Sequence, residues 1–324
     1  MSRQTALAPR RRTAHASLSS LDVQILQFLT RFGIARPHHI VGWTGASPHT
    51  IKRRLPALRA AGAAQSSIVG VALRDRGGQI RDTFCTAWSA TGSGIAYLEP
   101  WRVPGYADQR ITLPRARTSR QMAHHALGVV DLAVWYRQQG FDVASEREIR
   151  SLEQPSGLHP ERTVVSSWTV QIPGRTGVHP PDLGAVAPDG GMWAVELERA
   201  TKEVRDYQAV IAAYRGAGLG QAWHIASQAT ARRVMDACTR LGVTWGPPPA
   251  PGVTASTDGL VRLQGWLPGR AGLSGPAQWQ RHFPRSSPAG IPVPDGKPDL
   301  SASWRRGRVI DLNDGGEILG GIMW

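Results

Sequence analysis

Ser47-Pro-His-Thr-Ile-Lys-Arg-Arg-Leu-Pro-Ala-Leu-Arg-Ala-Ala-Gly62 reads as one helix with two unlike faces. Ser47 or Thr44 can cap its start, Pro48 suits the first helical position, and Gly62 ends it. Ile51, Leu55 and Leu58 recur at i, i+4 and i+7 and mark the inward face. His49, Thr50, Lys52, Arg53, Arg54 and Arg59 fall elsewhere on the surface. Pro56 has no N–H to give, so the helix is expected to bend or shorten there.

Upstream, Ser19 with Asp22 makes a capping-box start. Leu21, Ile25, Phe28, Leu29 and Phe32 then form an apolar stripe that Gly33 closes. A short helix follows Pro37, and Gly42 to Gly45 turn the chain into the basic helix. Helix, short helix, turn and basic helix is the helix-turn-helix order, in which the last helix enters the major groove. Downstream, residues 67–73 and 82–88 are rich in strand formers, and Asp75-Arg76-Gly77-Gly78 between them is a hairpin signal. Arg74, Arg76 and Arg81 flank that tip, within reach of a phosphate backbone. Residues 91–98 read as a short closing helix. The expectation is a winged helix-turn-helix over 18–99, preceded by a flexible basic arm over 1–17.

Charge agrees with a polyanion partner. Residues 1–120 carry 18 Lys/Arg against 5 Asp/Glu; residues 121–246 carry 12 against 13, and 247–324 carry 8 against 6. Nearly all of the net +14 therefore sits in the first third. The two cysteines, Cys85 and Cys238, have no Cys/His neighbours in sequence, which excludes a zinc motif and a disulfide framework. No apolar run approaches a membrane span and no secretory signal follows Arg10-Arg11-Arg12, so a soluble cytoplasmic protein is expected.

After a Pro- and Arg-rich linker (100–118), an α/β domain is expected over 119–246. The spacing predicts a helix at 120–139, with Met122, His125, Val129, Leu132 and Tyr136 on one face. Strands follow at 141–149, 178–186 and 192–198, with a tight turn at Asp189-Gly190-Gly191. A helix at 201–217, a strand at 222–227, a helix at 229–241 and a strand at 243–245 complete the α-β-β-β-α-β-α-β order. Asp182 starts the second of these strands, and Glu196 and Glu198 alternate onto one face of the third. A hairpin brings Asp182 beside them. Glu146 and Glu148 fall on the neighbouring strand, and Lys202 opens the next helix. Carboxylates with a nearby Lys suit Mg²⁺ and a phosphodiester; the plainer reading makes them solvated rim residues. His124 and His125 lack metal-ligand spacing and take no role. Residues 247–324 read as a Pro/Gly-rich tail with short docking segments: 260–267 can form one strand, and 309–312 and 318–324 are apolar enough to pair or pack.

The order Pro181-Asp182, Glu196-Leu-Glu198, Lys202 resembles the PD-(D/E)xK nuclease superfamily. The longer run from His179-Pro-Pro-Asp through Trp193-Ala-Val-Glu-Leu-Glu-Arg-Ala-Thr-Lys202 to Tyr214 is also similar to the replication-relaxation family of plasmids, integrative elements and phages, over about residues 18–245. The resemblance implies a winged helix joined to a nuclease-like α-β-β-β-α-β core, with Asp182 and Glu196 as metal ligands; Glu146 is a further candidate ligand from its expected place on the neighbouring strand. Glu198 stands where the superfamily has its water-activating Lys, which leaves Lys202 to substitute from the helix. Three functions follow from this. The first is a double-stranded-DNA-binding accessory or regulatory protein of a mobile element, working with a relaxase, replication or phage protein. The second is a Mg²⁺-dependent DNA endonuclease. The third is a transcriptional repressor whose second domain mediates oligomerisation. A homodimer stays open.

Overall fold

The computed structural model describes residues 18–74, 80–106, 109–116, 118, 120–153, 167–225, 227–246, 261–265, 309–311 and 316–318. The basic arm, the expected hairpin turn with Arg76, and most of the tail lie outside the described residues.

Helix α1 (Ser20–Phe32) begins as a capping box: the Ser19 hydroxyl accepts from the Asp22 N–H while the Asp22 carboxylate accepts the Ser19 N–H. Helices α2 (Pro37–Thr44) and α3 (Pro48–Ala60) follow, with Gly45 at φ 71° making the turn that no side-chain-bearing residue makes without strain. Ile51, Leu55 and Leu58 of α3 bury against Ile25, Phe28 and Leu29 of α1 in a common core. Pro56 does not shorten α3, which runs on to Ala60. The carbonyl that Pro56 leaves without a donor belongs to Lys52, on the exposed face where water can satisfy it. Strands β1 (Ala64–Arg74) and β2 (Ile80–Ala90) pair antiparallel from Ala64↔Ala90 to Arg74↔Ile80, and α4 (Gly92–Ile95) closes this half.

Residues 100–118 are not a free linker. Strand β3 (Trp101–Arg102) pairs with β4 (Arg110–Ile111), and Trp101, Val103, Tyr106, Ile111 and Leu113 are buried in the main core. Helix α5 (Arg120–Gln138) buries Ala123, Leu127, Val130, Leu132, Ala133, Val134 and Tyr136, while Met122 is exposed. The expected single stripe was set too narrow. One end of α5 packs Ala123 and Leu127 on the hairpin residues Val69, Val71 and Ala87, and the helix also contacts strands of the second half, so apolar residues run round more of it.

The expected strand 141–149 splits into β5 (Asp142–Ser145) and α6 (Glu146–Glu153). Ser145 and Glu148 cap each other: Glu148 accepts the Ser145 N–H at 2.8 Å and Ser145 Oγ accepts the Glu148 N–H at 3.3 Å. The expected strand 178–186 also splits, into β7 (Val178–His179), paired with β6 (Val170–Gln171), and β8 (Leu183–Val186). Pro180 and Pro181 lack the N–H groups a ladder needs. Strand β9 (Met192–Glu198), helix α7 (Val204–Gly216), strand β10 (Gly220–Ile225), helix α8 (Gln228–Arg240) and strand β11 (Trp245–Gly246) follow in the order read from sequence, but α7 starts at Val204, so Lys202 does not open the helix and stands in the loop before it.

The sheet order is β11-β12-β10-β9-β8-β5. Its antiparallel edge is β5/β8/β9, and β9, β10, β12 and β11 run parallel. Strand β12 (Val261–Gly265) comes from the tail and inserts between β10 and β11, so the sheet does not end at residue 246. Farther on, β13 (Val309–Asp311) pairs with β14 (Gly316–Ile318). The chain is thus mixed α/β with a mixed sheet.

The helical half and the sheet half share one hydrophobic core and a polar seam. Arg31 of α1 lies 2.8 Å from Glu148 of α6, and Arg147 of α6 donates to the Thr30 carbonyl. His39 of α2 lies 2.6 Å from Asp131 of α5. Among the described residues, no helix is long and apolar enough to cross a membrane.

Candidate functional site

Asp182, Glu196, Glu198 and Lys202 come together where β8 starts and β9 ends. The register Leu183↔Val195, carried one step further, sets Asp182 opposite Glu196. Pro181 interrupts the backbone ladder there, and the Asp182 carboxylate continues it: Oδ2 accepts the Leu197 N–H at 2.8 Å. Leu197 lies between Glu196 and Glu198, so this bond holds Asp182 beside both.

Asp182 and Glu196 have partners from other elements, and Glu198 has one from the loop that follows β9. Asp182 Oδ1 faces His125 Nε2 of α5 at 3.0 Å. Glu196 Oε1 accepts the Tyr214 hydroxyl of α7 at 2.6 Å and faces His179 Nε2 of β7 at 3.2 Å. Glu198 Oε2 accepts from Lys202 Nζ at 2.6 Å, and the Tyr207 hydroxyl accepts the Lys202 N–H. His125 and His179 had no role in the sequence reading. His179 precedes Pro180-Pro181-Asp182 by one step, and His125 borders the buried side of α5; a titratable ring at either place was the available signal.

Burial shapes the electrostatics. It pushes the Glu196 carboxyl above the usual carboxylate range and the Asp182 charge adds to this, against His179 and Tyr214. Burial also pushes Glu198 up, opposed by Lys202. For Lys202, burial works downward, but Glu198, with Glu196 and Asp182, holds the ammonium above its ordinary value. His125 is likewise pulled down by burial and raised on balance by Asp182. Burial and Glu196 push the Tyr214 hydroxyl well up, so it stays a neutral donor. A half-exposed cation thus sits against a sunken group of carboxylates, an arrangement typical of functional clefts and of structural ion pairs alike.

Mg²⁺ keeps most of its water and takes one or two protein carboxylates. Asp182 and Glu196 offer that donor set, and a cation held between them would offset the burial and the Asp182 charge that raise Glu196. Glu198 does not fit as a third ligand, because Lys202 already neutralises it. Glu146 is not on a strand beside them. It opens α6 and lies 2.7 Å from Arg150, one turn on, although its charge is still felt at His125 and Tyr214.

Among the described residues, one trio of potential ligand atoms lies within 4.8 Å: His38, His39 and Asp131. It does not suit a metal. The Arg36 N–H donates to His39 Nδ1, so the ring proton must sit on Nε2, facing Asp131, and leaves no lone pair for an ion.

The candidate DNA-facing residues divide. Lys52 and Arg53 of α3 are exposed and make no ion pair with the described residues. Arg54 instead turns onto α1 and makes a two-pronged contact with Asp22, whose side chain is fully buried. Burial works upward on Asp22, yet Arg54 and Ser19 together hold it below the usual range. The Thr50 hydroxyl lies 2.9 Å from Ser47 Oγ at the helix start. Arg59 donates to Ser66 at 3.3 Å and lies over the Trp88 ring. Arg74 and Arg81 stand on β1 and β2, but their side chains are not among those described.

Comparison of the chain with protein-family models, with curated proteins and with solved structures gives no match.

Proposed function

We propose that the chain binds duplex DNA as a winged helix, with α3 as the recognition helix and the β1–β2 hairpin as the wing, and acts as an accessory or regulatory protein of a mobile genetic element. The observation that carries this reading is the pair Lys52 and Arg53, exposed on α3 and without acidic partners among the described residues. Cations left open beside a surplus of 18 Lys/Arg over 5 Asp/Glu in residues 1–120 favour a polyanion. The relation to the replication-relaxation family rests on the motif order from Asp182 to Tyr214 and on the elements α5, β5, β8, β9, α7 and β10, between which α6, β6 and β7 are inserted.

The test is titration of the full chain with duplex DNA at several salt concentrations. Log affinity is expected to fall linearly with log salt, and the Lys52→Ala/Arg53→Ala double variant to bind about 1–3 kcal/mol more weakly with a shallower slope. Salt-independent binding, or an unchanged double variant, removes α3 from the interface.

A second reading, metal-dependent DNA cleavage, is favoured by the meeting of Asp182, Glu196 and Lys202. Asp182 and Glu196 would hold Mg²⁺, which when bound supplies a Lewis acid and an activated water. Lys202 would neutralise developing phosphate charge, and His125 orients the Asp182 carboxylate. Nicking of supercoiled plasmid that needs Mg²⁺ or Mn²⁺ and vanishes in Asp182→Ala, with DNA binding kept, is the expected signature. Metal-independent nicking, or none, leaves the cluster as a structural ion network.

A further inference from the structure

Strand β1 has an open outer edge. Trp88 of β2 donates its N–H to the Ala35 carbonyl and accepts the Ala35 N–H, so its backbone polar groups turn away from β1. Trp88 and its cross-strand partner Ser66 are therefore a pair that exchanges no ladder bonds, and the N–H and C=O of Ser66 point outward from β1. The register runs from Ala64↔Ala90 to Arg74↔Ile80 without a bulge. The same alternation thus sets the N–H and C=O of Ile68 and Gly70 on that outer edge. Among the described residues, no backbone group pairs with them there. Sheets ordinarily blunt such edges with Lys, Pro or bulges. From Ala64 to Leu73, β1 has no charged residue and no proline, in a chain that holds 38 Lys/Arg. A straight, neutral edge suits another strand and brings no cation to a phosphate.

We infer that β1 is a homodimer edge: it pairs antiparallel with β1 of a second copy about a two-fold axis at Val69, and the two hairpins become one four-stranded sheet. The inference stands apart from the DNA-binding reading. A fit of the hairpin to itself selects a second copy over an unrelated strand. Gly70 leaves a gap beside its cross-strand partner Phe84, and the Phe84 ring leans over that gap: a Cβ at Gly70 would stand 3.8 Å from the ring. Phe84 is 79% exposed, and Ile68, two residues from Gly70 on the same face, is 62% exposed. A two-fold at Val69 sets Gly70 opposite the partner's Ile68, and Ile68 opposite the partner's Gly70. Each isoleucine then fills the gap beside the other copy's Phe84 ring, so one contact is made twice. Ile68 and Gly70 are also the residues whose backbone groups face outward, so the same register lets the two edges exchange hydrogen bonds. Val69 and Val71 keep their packing with Ala123 and Leu127 of α5 on the other face. The two copies of β1 run in opposite directions, so Arg74 of one copy and of the other lie at opposite ends of the sheet.

The experiment is sedimentation equilibrium of the full chain without DNA, over a range of concentrations, joined to amide hydrogen exchange. Wild type is expected to rise from the 35.1 kDa of one chain towards twice that mass in the micromolar range, because edge pairing buries less than a standard interface. Exchange over residues 66–72 should slow as concentration rises, since the dimer covers their outward N–H groups. Gly70→Pro removes an outward N–H and no β1–β2 ladder bond, and Ile68→Lys puts a charge on the edge. Each should weaken the dimer by at least about tenfold and leave the circular dichroism of the dilute chain as in wild type. Ile68→Lys changes an exposed side chain, so it carries the test if Gly70→Pro fails to fold. A wild type that keeps the mass of one chain up to its solubility limit would overturn the inference. So would a dimer that Ile68→Lys leaves intact, or one in which residues 66–72 exchange as fast as in the dilute chain.

Discussion

On α3, Lys52 and Arg53 stand in solvent with no acidic partner among the described residues; on β9, Glu196 and Glu198 sink into the fold, Glu196 met by a donor from α7 and Glu198 by one from the loop before that helix. One pair is kept away from partners and the other is supplied with them. Open cations are useful to a protein whose partner brings the counter-charge. Enclosed carboxylates are useful where a proton or a small cation must be held in a fixed place. Arg54 shows that the boundary is not drawn by sequence position. It neighbours Arg53, yet it spends its charge inside the fold on Asp22.

The largest way to disturb this contrast is at the seam between the halves. Glu148 is fully buried and accepts from the Ser145 N–H and hydroxyl and from Trp101 Nε1, with Arg31 2.8 Å away. Glu148→Ala would leave Arg31, itself only 10% exposed, without its counter-charge. A loss of about 3–5 kcal/mol is expected in urea unfolding. A loss under about 1 kcal/mol would mean that the halves are held by the apolar core alone.

Acid should act through the same seam. Burial, with His39 and Arg36 nearby, pushes His38 down to about 4 against the pull of Asp131, which lies 3.8 Å away. The unfolded chain takes up this proton near pH 6.5 and the folded chain only near 4. Stability from His38 is therefore full above about 6.5 and falls as pH drops towards 4, by at most roughly 3 kcal/mol. His224, held down to about 3 by burial, slopes the same way. In His38→Asn the dependence between pH 7 and 4 should flatten, leaving the share of His224. An unchanged slope would show that His38 does not titrate with unfolding.

Legibility in the sequence followed how local each signal was. Ser19 with Asp22, the stripe Ile51, Leu55, Leu58, and the Asp189-Gly190-Gly191 turn are fixed by near neighbours, and all are where the spacing put them. The grouping of Asp182 with Glu196 and Glu198 was also readable, because a hairpin joins them. Ser145-Glu-Arg-Glu148 carries two competing local signals, alternation and a capping box, and the capping box wins, so Glu146 and Glu148 stand on a helix and not on a strand. What no local pattern carried was long-range. His125 reaches Asp182 across 57 residues, and the strand expected at 260–267 takes its place in the sheet, between β10 and β11, from beyond a proline-rich stretch. The shared core also made residues 100–118 a packed segment, because Trp101, Tyr106 and Leu113 had somewhere to go.

The smallest effect is the sharpest test of the opening contrast, because it compares three residues in a row. If Arg54 belongs to the fold, Arg54→Ala strips the buried Asp22 carboxylate of its guanidinium and leaves it the Ser19 donors alone. The cost is expected to be about 1–2 kcal/mol, reduced from a fully buried pair because the Arg54 side chain is 34% exposed and water screens it. Its sign with pH is fixed by Asp22. The stabilisation is present above about pH 3.8, the ordinary value, and is lost as pH falls through the lower folded value, so Arg54→Ala should resemble wild type in strong acid. Lys52→Ala and Arg53→Ala have no buried partner to orphan and should change unfolding free energy by no more than about 0.5 kcal/mol. In DNA titrations the order should invert, with Lys52 and Arg53 governing the salt slope and Arg54 contributing little at temperatures where its variant stays folded. A set in which all three cost equal stability, or in which Arg54 alone governs DNA binding, would mean that the division between inward and outward cations on α3 has been drawn in the wrong place.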